Sequence, residues 1–155
     1  MSLDEKQFRH AMSHFASGVT VVTTEHRGQR YGMTVASFAS LSLRPPLVLI
    51  CIEKSVRTHA AIDEAGTFAV NILAETQQEV SAAFASRAED KFANVTVTAG
   101  DLGLPLIDGS LASIECQITH RLPGGDHTIF LGEVIAARVR EGKPLLYFRS
   151  EYRML

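Results

Sequence analysis

Residues 112–140 leave this chain few folds to choose from. Ala112, Ile114, Cys116 and Ile118 alternate with Ser113, Glu115, Gln117 and Thr119, the period of a strand with one buried face. Pro123-Gly124-Gly125-Asp126 reads as a turn, and His127 to Arg140 as a second long strand with Gly132 at a bend or bulge. Two long strands joined by so short a turn must run antiparallel, because a parallel crossover needs a dozen or more residues. Glu141-Gly142-Lys143-Pro144 turns again into Leu145–Phe148, and Tyr152 and Leu155 give the tail apolar side chains to pack.

Upstream, strands again outnumber helices. Ser2-Leu3-Asp4-Glu5 has the form of a capping box. Phe8, Ala11, Met12 and Phe15 follow as one apolar helical stripe, with Gly18 as the stop. Val19–Thr24 is β-branched and strand-like. His26-Arg27-Gly28-Gln29 turns it back into Gly32–Leu43, a strand filled with small and hydroxyl residues that ends at Arg44-Pro45-Pro46. Leu47–Ile52 is a short apolar run, as in a strand buried on both faces. Ser55 is placed to cap a helix that Gly66 closes, and Thr67–Leu73 is another strand. Thr76-Gln77-Gln78-Glu79 opens a helix carrying Val80 and Phe84. Arg87–Asn94 connects, Val95–Thr98 is a short strand, and Gly100–Gly109 reads as loop. Successive strands on short turns favour a mostly β fold, an antiparallel sheet curled into a barrel, over a doubly wound parallel sheet.

With 155 residues, 46% of them hydrophobic, the chain suits one domain, residues 1–155. A net charge of -2 without a Lys/Arg run gives nucleic acid no surface to bind. No apolar run approaches the roughly 20 residues of a membrane span. The first residues lack a signal-peptide pattern, and the two cysteines, Cys51 and Cys116, suggest no disulfide framework. A cytoplasmic location follows as the expectation.

The familiar catalytic signatures are missing: no G-x-G-x-x-G after a strand, no Walker loop, no nucleophile elbow, no H-E-x-x-H. The six histidines show no metal-ligand spacing, so no metal is expected. Chemistry would then come from a cofactor, with the protein binding and orienting it. Two stretches suit a flat ring bearing a phosphate. One is Thr34–Ser42, whose small residues let a ring lie close to backbone. The other is Lys54-Ser55-Val56-Arg57-Thr58 at a helix start, where free amides, the dipole and two cations favour an anion.

Together with Gly125-Asp126-His127 these stretches resemble the flavin reductase-like domain, the short-chain NAD(P)H:flavin oxidoreductases of two-component monooxygenases. The likeness begins at Gly18–Thr23 and continues through Thr34–Phe38, Ser42–Pro46 and Phe68–Leu73. It closes with Gly125–Val134 and Pro144–Phe148. The resemblance implies an FMN-binding split barrel of antiparallel Greek-key form, FMN or FAD as flavin, and NADH or NADPH as co-substrate. It also implies a homodimer and a flavin-dependent monooxygenase partner. By position, Thr34, Val35, Ala36 and Ser37 would lie along the isoalloxazine, and Cys51, Ile52 and Glu53 beside the ring or ribityl chain. Lys54, Ser55, Arg57 and Thr58 would hold the phosphate. Phe84, Lys91 and Phe92 match a segment that covers the flavin. Asp126 and His127 match the nicotinamide side, His127 as the catalytic residue, and Tyr152 falls in a tail lining the same pocket. Val35 departs from the family, where many members carry a small or amide residue. Three alternatives share the barrel: a pyridoxamine-phosphate-type FMN oxidase, a non-catalytic flavin-binding module, and a barrel that binds no ligand.

Overall fold

The computed structural model describes residues 2–155. In chain order the elements are α1 (Glu5–Met12), β1 (Ser17–Gly18), β2 (Thr20–His26), β3 (Gln29–Val35), β4 (Phe38–Leu43), β5 (Pro46–Glu53), α2 (Arg57–Ala65), β6 (Thr67–Ile72), α3 (Gln78–Ala85), β7 (Val97–Ala99), β8 (Pro105–Ile107), β9 (Ala112–Gly124), β10 (His127–Val139), β11 (Leu146–Phe148) and β12 (Glu151–Arg153). Seven strands form one antiparallel sheet in the order β3-β2-β6-β9-β10-β5-β4.

That order puts β3 and β4 on opposite edges, yet only Ala36 and Ser37 separate them in sequence. From Val35 to Phe38 the chain can reach at most about 11 Å. A flat seven-stranded sheet would hold its edges roughly 29 Å apart. The sheet must therefore curl until its edges meet at residues 36–37. There the Cys51 amide donates to the Ser37 carbonyl at 3.1 Å, and the Thr20 hydroxyl to the Val35 carbonyl. Beyond this corner β3 and β4 share no ladder, so the barrel is split along a seam and the outer edge of β3 lacks a strand partner.

Side-chain alternation divides the interior. Val22, Ile50, Ile52, Phe68, Val70 and Phe130 meet inside the barrel, with Ile62 of α2 packed among them. On the other face of β2, Val21 packs with Leu73, Phe84, Phe92 and Leu145 in a second core. Strands β2 and β6 are thus buried on both faces. Leu47–Ile52 is not: Val48, Ile50 and Ile52 point inward, while Leu47, Leu49 and Cys51 are only half-buried on the outer face. The apolar run reflects a half-covered sheet rather than a central strand.

Several ends fall elsewhere than sequence spacing suggests. Asp4, not Ser2, caps α1: its carboxylate accepts from the Gln7 amide at 2.7 Å and the Gln7 side chain answers the Asp4 amide. The helix stops at Met12, well before Gly18, which the chain uses in β1. Val56 is the N-cap of α2 and makes no side-chain cap, so Ser55 does not cap; Gly66, at φ 74°, does close the helix. Gln77 precedes α3 without a capping box, its side chain accepting from the Ala74 amide and donating to the Asp108 carbonyl. The segment expected as loop, Gly100–Gly109, contains β8, which pairs with β7. Buried Glu115 organises its start by accepting from the amides of Asp101 and Leu102.

Gly132 does sit at a register shift between β9 and β10. A Cβ there would stand 2.7 Å from the Phe68 ring and 2.8 Å from the Cys116 Cβ. Gly132→Ala is expected to lose about 1–3 kcal/mol of stability through overpacking. A urea midpoint that falls at unchanged slope would show it.

Candidate functional site

A cleft of about 560 Å³ opens along the unpaired edge of β3. Its floor is β3 from Gln29 to Thr34. Its far wall is the segment Phe84–Phe92, and the start of α2 (Ser55–Thr58) and Glu53 border it. Gly32 permits this closeness, since a Cβ there would stand 2.7 Å from the Phe84 ring. Phe84 and Phe92 are buried and meet edge-to-face at 4.8 Å, so they anchor the wall in the second core while facing the cleft. Lys91 ties the wall to the floor: its ammonium donates to the carbonyls of Gly32 and Phe84, each at 3.2 Å. Partial burial, then the Arg57 guanidinium, hold that ammonium below the ordinary lysine range. Arg30 lies over the Phe92 ring at 5.0 Å.

Of the residues singled out from sequence, Thr34, Glu53, Ser55, Arg57, Thr58, Phe84, Lys91 and Phe92 are gathered here. Strand β5 carries the others to its borders. Cys51 is bonded to the Ser37 corner, and Glu53 pairs in register with His127. The Lys54 amide donates to the Asp126 carbonyl at 2.9 Å. Thus Ala36, Ser37, Cys51, Lys54, Asp126 and His127 flank the cleft without lining it. Val35 and Ile52 have core side chains, so only their backbone is offered. The Thr34 hydroxyl donates to the Ser81 carbonyl at 2.7 Å and serves shape first. Tyr152 does not line the cleft. Its hydroxyl bonds the Ser81 hydroxyl at 2.7 Å, and the tail reaches the site through α3. Sequence reasoning missed Gln29, Arg30, Tyr31, Gly32 and Arg87. Gly32 alone carried a signal, a glycine inside a strand where something approaches the backbone.

His127 Nδ1 lies 2.7 Å from Asp126 Oδ1. That hydrogen bond, and then the charge of the imidazolium form, hold Asp126 below the usual carboxylate range. In the neutral ring Nδ1 then carries the proton and Nε2 keeps its lone pair as an acceptor. Burial raises the Cys51 thiol above its ordinary value, so it is no ready thiolate.

The helix start with its orphan amides and Arg57, beside a corner of small exposed residues, fits a flat heterocycle with an anionic tail. Residues 12–155 match the flavin reductase like domain. The chain is 45% identical over 152 residues to the flavin-dependent monooxygenase reductase subunit HsaB of Rhodococcus jostii, covering 97% of this chain and 78% of HsaB. It is 43% identical over 144 residues to the FMN reductase (NADH) SmoA of Agrobacterium fabrum, covering 93% and 82%. It superposes on the NADH:FAD oxidoreductase SgcE6 of Streptomyces globisporus, solved with NAD and FAD fragments. That fit has a TM-score of 0.92 and 40% identity, covering 99% and 95% of the two chains. The protein belongs to the flavin reductase-like family.

Two outcomes follow from this geometry. Tyr152→Phe leaves the fully buried Ser81 hydroxyl without its partner and should cost about 1–3 kcal/mol, read as a lower thermal midpoint. A phosphate bound near Lys91 favours its charged form and draws a proton onto it. Affinity for FMN should therefore decline as pH rises through Lys91's lowered range, and Lys91→Arg should flatten that profile in fluorescence titrations.

Proposed function

We propose that the protein is an NADH-dependent flavin reductase whose flavin lies across the Ser37 corner with its phosphate at the start of α2, and that it supplies reduced flavin to a monooxygenase partner. The observation that carries the reading is the convergence on β5. One strand end joins the exposed small-residue corner, the cationic cleft and His127. When bound, the flavin supplies a two-electron acceptor for the nicotinamide hydride.

The chain's own residues then have separable tasks. Ala36 and Ser37 let the ring approach backbone. The amides of Thr34–Ser37 and of Cys51–Glu53 offer hydrogen bonds to its polar edge and stabilise charge that builds there. Ser55, Arg57, Thr58 and Lys54 hold the phosphate, Arg57 by charge-assisted bonds. Phe84, Lys91 and Phe92 close the cleft's far wall and keep water from it. Asp126 sets the tautomer of His127, whose Nε2 accepts from the nicotinamide carboxamide and holds that ring over the flavin at reacting distance. No proton transfer by His127 is required.

Two further features support assignments of assembly and place. Leu49, Cys51, Ile129 and Leu131 form a half-buried apolar patch on the outer face of β5 and β10. Phe8, Met12 and Phe15 of the N-terminal segment lie exposed. Covering such faces suits a homodimer. Two unpaired cysteines suit a reducing, cytoplasmic setting. No described helix is long and apolar enough to cross a membrane.

Purified protein with FMN or FAD and NADH should oxidise NADH well above the free-flavin background. Turnover of pyridoxamine phosphate without nicotinamide, or no oxidation with either flavin, would sink the assignment. His127→Ala should raise KM for NADH and lower kcat while flavin affinity holds. Arg57→Ala should weaken flavin binding about 10- to 100-fold, the worth of a charge-assisted hydrogen bond.

A further inference from the structure

Lys54, Ser55, Arg57 and Thr58, assigned above to the phosphate, lie on one short stretch between Glu53 at the end of β5 and His59 in the first turn of α2. A stretch that holds an anion must keep its donors aimed at one point. Its internal bonds are sparse. Val56 precedes α2 without a side-chain cap, and its amide reaches the Glu53 carbonyl only at 3.5 Å.

Both ends of the stretch are fastened to the start of β10 and the residue before it. At one end Glu53 pairs with His127, and the Lys54 amide donates to the Asp126 carbonyl at 2.9 Å. At the other end His59 Nε2 and the Thr128 hydroxyl share a hydrogen bond of 2.8 Å. The His59 ring rests against the buried Phe130 ring, centroids 5.2 Å apart, and this contact orients it. Other side-chain ties of α2 lead elsewhere, from Asp63 to Arg121 of β9 and from Glu64 to His26 of β2. Thr128 shares a face of β10 with Phe130, and the adjacent His127 ring stands on the opposite face. Any movement of Thr128 therefore carries His127 with it.

We propose that His59, acting through Thr128, is a positioning residue for hydride transfer: it couples the phosphate-holding stretch to His127, so that a phosphate seated at the start of α2 steadies the histidine that orients the nicotinamide. The inference rests on the flavin reductase reading and adds to it an energetic link between the flavin and nicotinamide sites. A flavin without a phosphate leaves that link unused.

The test measures KM for NADH and kcat at saturating FMN and at saturating riboflavin, which has the same ring system and no phosphate. Wild type is compared with three variants. Thr128→Val keeps the branched shape and removes the hydroxyl, Thr128→Ser keeps the hydroxyl, and His59→Phe keeps a ring against Phe130. In the wild type and Thr128→Ser, KM for NADH should be about 2- to 10-fold lower with FMN than with riboflavin, the worth of one hydrogen bond. In Thr128→Val and in His59→Phe the two flavins should give the same KM, and the double variant should be no worse than either single one. A bond that served the fold alone would lower the thermal midpoint and shift KM equally with both flavins. That result would overturn the proposal. So would a wild type with equal KM for the two flavins, or an FMN advantage that survives in either folded variant. Should one variant fail to fold, the other decides. Failure of the wild type to oxidise NADH with FMN would instead remove the underlying reading.

Discussion

A two-residue link holds this structure to its shape. Ala36 and Ser37 join strands that the sheet order places at opposite edges, and so short a tether leaves no option but closure. Closure creates the interior for Ile50, Ile52, Phe68 and Phe130. It also creates a seam, because β3 and β4 touch at the corner and then part without pairing. The seam is where backbone polar groups remain free, and where a ligand can reach them without breaking a ladder.

The rest of the molecule manages that seam. Phe84, Phe92 and Lys91 cover the bare edge of β3, Lys91 by bonding the Gly32 carbonyl that no strand takes. Ser81 braces the cover from behind, accepting from Thr34 and bonding Tyr152, so the tail steadies the wall without entering the cleft. The buried Asn71 side chain is answered in kind, bonding Val21, Thr23, Ile107 and Ser113 in one network. The site proposed above thus runs along one line, from His127 through β5 to the end of β3.

Much of this was legible from residue order. The β9–β10 hairpin, the Gly132 irregularity, Gly66 as a helix stop and the barrel class all follow from local periodicity and turn chemistry. The helix starts were less so. Ser2–Glu5 has the form of a capping box, yet the box that forms, Asp4–Gln7, lies two residues further on. Leu47–Ile52 misled because its half-buried outer face is as apolar as its inner one. The resemblance put Thr34 and Tyr152 at the pocket, and only packing against α3 showed both hydroxyls bonded to Ser81.

The sequence by itself determined the strand-rich class, the family and the kinds of residue at the site, because periodicity, turns and motif order are local properties. Tertiary structure alone decided which of those residues share a cleft. Arg30 and Phe92 lie 62 positions apart in the chain and carry no mutual signal. They meet because the barrel seam must be covered, and the segment that covers it is anchored by burying Phe84 and Phe92.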